Sequence, residues 1–237
     1  SATPLPWSNV IANPDFGFLV TESGSGYTWR GNSRENKLTP WSNDPVRDPS
    51  GEILYIRDDK TGEYWNVTPS PVRSGSSYQI RHGQGFTVFE HAGHGLTQRQ
   101  TMLVPPEEPV KLVCTSLKNN TDQPRSLSLF FYAEWVLGVH REENAAFIVT
   151  EFDGKANAML AYNRYNEEFG GRAAFLSCDR EICSYTSDRR EFLGRNGSPE
   201  EPQSMAAAGP ARAMIRARRF RLKWKSVREK RKKFCFI

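Results

Sequence analysis

Residues 78–104 read YQIRHGQGFTVFEHAGHGLTQRQTMLV. Residues 78–82 alternate with period two, residues 86–90 alternate again, and residues 96–104 do so with polar side chains at Thr97, Arg99 and Thr101. A period of two puts successive side chains on opposite faces of a strand. Gly83, Gly85, Gly93 and Gly95 punctuate the three runs, as turns require. The stretch predicts three strands joined by tight turns, the signature of an antiparallel sheet.

The pattern extends in both directions. Upstream, residues 52–58 (EILYIRD) are rich in β-branched and aromatic residues, residues 59–62 (DKTG) form a hairpin turn, and residues 63–67 return. Residues 16–21 form a short strand, Gly24-Ser25-Gly26 a turn, and residues 27–30 the return. Residues 1–15 form an extended leading segment, and residues 41–50, with two Asp-Pro pairs, a loop. Downstream, Pro105-Pro106 ends a strand, 110–118 starts another, and 125–136 is a long strand with an apolar centre on both faces. Residues 145–152 and 158–163 form a hairpin around Asp153-Gly154, 172–178 and 182–187 are shorter strands, and 188–201 reads as loop. Strands at this spacing, with almost no helical periodicity before residue 200, predict an all-β, antiparallel β-sandwich.

With 237 residues, 38% of them hydrophobic, the chain can bury a substantial core. Its net charge of +5 averages two unlike parts. Residues 209–237 hold 12 Lys and Arg against one acid, Glu229, a net of +11; residues 1–208 hold 20 basic and 26 acidic residues, a net of −6. We expect two regions, a sandwich domain over 1–208 and a basic tail over 209–237, helical or disordered. No apolar run approaches the ~20 residues of a membrane span, and SATPLPW does not have a signal-peptide pattern. Cys178 and Cys183 lack a CxxC pattern or a nearby His, so the four cysteines (Cys114, Cys178, Cys183, Cys235) are expected to be reduced, mostly buried thiols of a cytosolic protein. Gly24-Ser25-Gly26 is no dinucleotide fingerprint, because no helix follows it.

Chemistry concentrates in residues 16–41, FGFLVTESGSGYTWRGNSRENKLTPW. Trp29 and Trp41 flank a polar knot of Asn32, Ser33, Arg34, Glu35 and Asn36. Aromatic faces cover the C–H face of a sugar, and planar amide, guanidinium and carboxylate groups take its hydroxyls in pairs. The candidate saccharide-binding residues are therefore Trp29, Asn32, Arg34, Glu35, Asn36 and Trp41. Arg81 and His82, at the end of a strand, are added as candidates for contact with a polar ligand. Trp7, Trp65 and Trp135 default to core positions. His91 and His94, in the glycine-rich HAGHG, read as an exposed polar turn rather than a metal site. No carboxylate pair is flagged by spacing for acid–base work, and Glu35 reads as orienting Arg34.

Residues 3–45 (TPLPWSNVIANPDFGFLVTESGSGYTWRGNSRENKLTPWSNDP), GEILYIRDDKTGEYW, YQIRHGQGFTVFEH and SLKNNTDQPRSLSLFFYAEWVLG resemble the N-terminal sandwich domain of the inverting glycoside phosphorylases. That family includes cellobiose and chitobiose phosphorylases, and the nearest likeness is to the phosphorylase-like C-terminal region of cyclic β-1,2-glucan synthase. The resemblance implies a β-supersandwich, followed in the family by a helical linker and an (α/α)6 barrel that holds the catalytic aspartate and the phosphate site. It implies no cofactor, inorganic phosphate as co-substrate, a β-linked glucan or oligosaccharide as ligand, a homodimer, and no specific nucleic acid. It also implies a cytoplasmic protein, tethered to the inner membrane in a full-length synthase. Asn32-Ser33-Arg34 and Leu38-Thr39 match the family's Asn-Ser…Arg-(Ile/Leu)-Thr pattern.

The chain ends before any barrel sequence, and near 209–212 it switches to Arg/Lys-rich sequence unlike the family. The expectation is a frameshifted, truncated or fragmentary reading frame, with an evolved basic appendage as the rival. The first reading is a carbohydrate-associated structural domain, inactive alone. A stand-alone carbohydrate-active enzyme and an interaction module with an anion-binding tail are the alternatives.

Overall fold

The computed structural model describes residue 3 and residues 5–206, 215–222 and 231–236. In chain order the strands are β1 (Ser8–Ala12), β2 (Phe16–Thr21), β3 (Gly26–Arg30), β4 (Glu52–Asp58), β5 (Tyr64–Asn66), β6 (Tyr78–Gly83), β7 (Phe86–Gly93) and β8 (Leu96–Leu103). They continue with β9 (Leu112–Asn119), β10 (Arg125–Ala133), β11 (Ile148–Asp153), β12 (Ala158–Asn163), β13 (Ala174–Ser177), β14 (Ile182–Tyr185), β15 (Ile215–Leu222) and β16 (Arg231–Phe236). Every pairing is antiparallel. The stretch at 78–104 becomes β6–β8, inside a five-stranded sheet of order β16-β9-β8-β7-β6. A second five-stranded sheet runs β14-β15-β10-β4-β5, and two three-stranded meanders, β1-β2-β3 and β11-β12-β13, flank them.

The apolar residues explain the layering. On β10, Leu127, Leu129, Phe131 and Ala133 join Leu54 and Ile56 of β4 in a core shared with Phe89, Leu96, Met102, Val113 and Leu117 of the β6–β9 sheet. Phe18 and Val20 of β2 and Ile11 of β1 enter the same core. The other face of β4 and β10 carries Ile53, Tyr55, Phe130 and Tyr132, packed under Phe192, Leu193 and Met205. The two-sided apolar run read at 125–136 is thus a strand covered on both faces. Burying each such side chain contributes about 1.5–3 kcal/mol.

Arg125 ties the large sheets together. Its Nε lies 2.7 Å from Asp58 Oδ2, its Nη2 2.6 Å from the same oxygen, and its Nη1 donates to the His94 carbonyl in the β7–β8 turn at 2.6 Å. Burial alone would raise the Asp58 carboxyl, but Arg125 and two backbone N–H donors hold it below the usual range. Gly24 closes the β2–β3 turn at φ +92°, where a Cβ would fall 2.3 Å from that of Thr68.

Four expectations are corrected. Residues 188–201 are not all loop: Asp188 caps a helical turn, Arg189–Leu193, by accepting from the Arg190 N–H at 2.8 Å, and buries Phe192 and Leu193. Cys114 and Cys235, partners in the β9–β16 register, form a disulfide rather than reduced thiols. Cys178 is buried and Cys183 exposed. The described parts of the basic tail are the strands β15 and β16, not helix; the rest of it lies outside the described residues. Trp7, expected in the core, is 71% exposed, whereas Trp65 is buried as expected.

Candidate functional site

β3 sorts the knot by the period of the strand. Tyr27 and Trp29 share one face; Thr28 and Arg30 share the other. Register places Ala12, Gly17 and Trp29 in one row across the small sheet and Val10, Leu19 and Tyr27 in the next. A Cβ on Gly17 would sit 2.5 Å from the Trp29 ring, so the indole occupies the space a side chain there would fill. The Tyr27 ring lies 5.2 Å from Trp29 and 5.5 Å, stacked, from Trp41. All three rings are half-buried, so together they form an aromatic platform. Burial raises the Tyr27 hydroxyl's pKa, and its hydrogen bond with Ser33 partly offsets this.

The polar knot borders the platform. Asn32 Oδ1 accepts the N–H groups of Arg34 and Glu35, each at 2.9 Å, and its carbonyl accepts the Asn36 N–H at 3.0 Å. Asn32 therefore shapes the turn. Arg34 Nε pairs with Glu35 Oε1 at 3.2 Å, with the arginine side chain 85% exposed. Asn36 turns the other way: it is buried and donates to the Arg30 carbonyl at 2.8 Å.

Behind β3 lies a cavity of about 160 Å³, lined among others by Thr28, Arg30, Asn36, Glu52, Lys111 and Trp135. Glu52 Oε1 accepts the hydroxyls of Thr28 and Thr39, each at 2.6 Å, and Oε2 accepts Lys111 Nζ at 2.7 Å. Burial alone would raise the Glu52 carboxyl, but the Lys111 ammonium and the two hydroxyls hold it below the ordinary carboxylate range. Lys111 Nζ also sits 4.4 Å from the centre of the Phe18 ring.

Arg81 and His82 lie elsewhere, on the edge strand β6. Arg81 Nη2 is 2.6 Å from Glu90 Oε2, and Arg99 Nη1 is 3.2 Å from the other Glu90 oxygen. His82 Nδ1 is 3.1 Å from Thr87 Oγ1. Burial lowers the His82 pKa, with Glu22 opposing. Among the described residues, no hydrogen bond, ion pair or ring contact joins this pair to the knot. His91, read as part of an exposed turn, is 3% exposed and stacks on Tyr78 at 4.1 Å.

The structure thus joins Trp29 and Trp41 through Tyr27, ties the turn that holds Asn32, Arg34 and Glu35 to Tyr27 through Ser33, turns Asn36 inward, and leaves Arg81 and His82 apart. Sequence reasoning missed Tyr27, the ring that joins the two tryptophans. The signal was present, because residues 27 and 29 share a face in any strand over 26–30. Glu52 and Lys111 carried no signal, since nothing in the letters E and K marks burial. Among the described residues, no group of three or more His, Cys, Asp or Glu could hold a metal ion, and no helix is long and apolar enough to cross a membrane.

The family model for the glycosyl hydrolase 94 supersandwich domain matches residues 1–219. Cyclic beta-(1,2)-glucan synthase NdvB of Rhizobium meliloti (strain 1021) is 39% identical over 207 residues, covering 86% of this chain and 7% of that protein. N,N'-diacetylchitobiose phosphorylase of Vibrio furnissii is 26% identical over 211 residues, covering 86% of this chain and 26% of its own. Solabiose phosphorylase of Paenibacillus borealis is 28% identical over 212 residues, again 86% of this chain and 27% of its own. The chain thus spans between 7% and 27% of the length of these relatives. The match over residues 1–219, together with paired antiparallel sheets packed around one core, establishes that the chain belongs to the glycosyl hydrolase 94 supersandwich domain family.

Proposed function

We propose that this chain serves as the supersandwich part of a protein that processes β-linked glucans, a glycoside phosphorylase or a cyclic β-1,2-glucan synthase. In this reading the aromatic platform and its knot form one wall of a saccharide site. An (α/α)6 barrel elsewhere in the full-length protein supplies the catalytic acid and uses inorganic phosphate. The three-ring contact, Trp29 tilted against Tyr27 and Tyr27 stacked on Trp41, together with the exposed Arg34–Glu35 pair in the adjoining turn, carries the proposal. The rings offer flat apolar area for the C–H faces of successive glucose units. Arg34 contributes donors and Glu35 acceptors for their hydroxyls. The chain's own residues bind and orient; none of them is assigned a proton transfer.

Titrating the chain with β-1,2-linked glucooligosaccharides, followed by tryptophan fluorescence, tests this. We expect saturable quenching, abolished in Trp41→Ala and weakened about tenfold, or about 1.4 kcal/mol, in Arg34→Ala. Affinity unchanged in Trp41→Ala would overturn the assignment. Robust phosphate-dependent release of sugar 1-phosphate by this chain alone would overturn the division of labour.

A further inference from the structure

The cavity behind β3 is separate from the platform and is not explained by it. At about 160 Å³ it exceeds by an order of magnitude the ~15 Å³ that admits one water. Phe16, Trp135 and Phe169 supply apolar wall, and Arg30, Lys111 and Arg172 supply three cations. Glu52 is the one carboxylate among the lining residues, and Thr28, Thr39 and Lys111 already engage it. Neither Arg30 nor Arg172 has a side-chain hydrogen-bond or ion-pair partner among the described residues.

The amides on the wall do not compete for a ligand. Asn163 Nδ2 donates to the Leu137 carbonyl at 3.0 Å and to Asn144 Oδ1 at 2.9 Å, and Asn166 Nδ2 donates to the same Leu137 carbonyl at 3.3 Å. Their Oδ1 atoms accept backbone N–H groups of Tyr165, Glu168 and Phe169. Among the described lining residues, the charged donors left unspent are therefore two guanidinium groups and the remaining N–H groups of Lys111. A cavity so lined has a positive field, and guanidinium forks match the geometry of carboxylate and phosphate. The aromatic wall adds a preference for a carbon skeleton over a bare ion.

We infer that this cavity binds a monosaccharide-sized oxyanion: one sugar ring against Trp135 and Phe169, with its phosphate or carboxylate held by Arg30, Lys111 and Arg172. The exposed position of Arg172 and Ala173 puts the way in between the 169–174 loop and residues 109–111.

Calorimetric titration of the full chain at low ionic strength tests this, with a hexose phosphate, a hexuronate, a neutral hexose and inorganic phosphate as probes. We expect saturable binding of the hexose phosphate or the hexuronate, and the tighter of the two identifies the anion. The neutral hexose and inorganic phosphate should each bind at least about tenfold more weakly, and added salt should weaken the acid. Arg172→Ala changes an exposed side chain, so the fold stays intact, and it should lower affinity about tenfold; Arg30→Gln should do the same. Arg172 and the platform lie on opposite faces of β3, so the variant reports on the cavity alone. A neutral hexose or bare phosphate bound as tightly as the acid, affinity unchanged in Arg172→Ala, or no saturable binding of any acid would each overturn the inference.

Discussion

Replacing Lys111 with Met should destabilise the domain by about 3 kcal/mol, near the lower end of the 3–5 kcal/mol typical when one partner of a buried ion pair is removed. The pair is well enclosed, with 11% of the Lys111 side chain and 13% of the Glu52 side chain exposed. The variant loses the 2.7 Å charge-assisted bond and the cation above Phe18, while Thr28 and Thr39 still donate to Glu52. Those two donors set the estimate at the lower end. Against a total stability of about 5–15 kcal/mol the loss is large, and it lowers Tm by roughly 6–12 °C in a chain of this size. Urea unfolding at several pH values is the assay. In the parent, the Glu52 carboxyl is held below its ordinary 4.5, so its contribution is present above that pH and lost as pH falls through the lowered value. In Lys111→Met, burial without the countercharge pushes the carboxyl up instead, and protonation relieves the variant as pH falls from 7 towards 5. The gap between parent and variant therefore narrows in acid. Adding Glu52→Gln removes the stranded charge and should recover about 2 kcal/mol at pH 7. A gap under about 1 kcal/mol at pH 7, a gap that does not change with pH, or no recovery in the double variant would refute the reasoning.

Further outcomes are expected on the same physical grounds. Burial lowers the pKa of His91, with the His94 charge acting the same way and the bond to the Ser77 carbonyl opposing. The fold thus favours neutral imidazole: stability is full above about pH 6.5 and declines below it, and His91→Phe should reduce that decline in urea midpoints taken between pH 7.5 and 5. Gly17→Ala places a methyl 2.5 Å from the Trp29 ring and 2.7 Å from Ala12 Cβ, and should cost about 1–3 kcal/mol with a changed near-ultraviolet dichroism spectrum. Arg34→Ala breaks an exposed pair and should shift stability by no more than about 0.5 kcal/mol while weakening glucan binding; a larger loss would mean the guanidinium holds the loop.

The strands that sequence reveals best are those with one dry and one wet face. β8 alternates buried Leu96, Gln98, Gln100 and Met102 with exposed Thr97 and Arg99, so its period is visible. β10 is equally visible because an apolar run with few polar breaks must be covered on both sides. β15 was hidden by a bulge: its pairing with β10 slips between Leu127 and Leu129, so no single period of two runs through it. For the site, the knot was legible as a mixture of side chains but not as a partition. Which residues of 27–36 face outward depends on the strand's orientation against β2, and that orientation is set by contacts with Gly17 and Trp41 distant in sequence. Arg81 drew notice as an arginine at a strand end, yet its partner Glu90 is a cross-strand neighbour revealed only by register. Cys114 and Cys235 stand 121 residues apart, and only the β9–β16 pairing brings them together.

The cover supplied by Phe192, Leu193 and Met205 sets where this domain can be divided. Tyr55 donates its hydroxyl to the Pro199 carbonyl at 2.6 Å, so the segment after β14 is fastened to β4 as well as packed on it. A cut or fusion point placed near residue 187, just after β14, would strip the cover from Ile53, Tyr55, Phe130 and Tyr132 and remove β15, the strand that joins β14 to β10. It would trade a folded unit for one with a broad adhesive face prone to aggregation. Residues that read as loop are part of the module, and any grafting of this domain onto another protein has to carry them, along with β15 and β16, which complete the two large sheets.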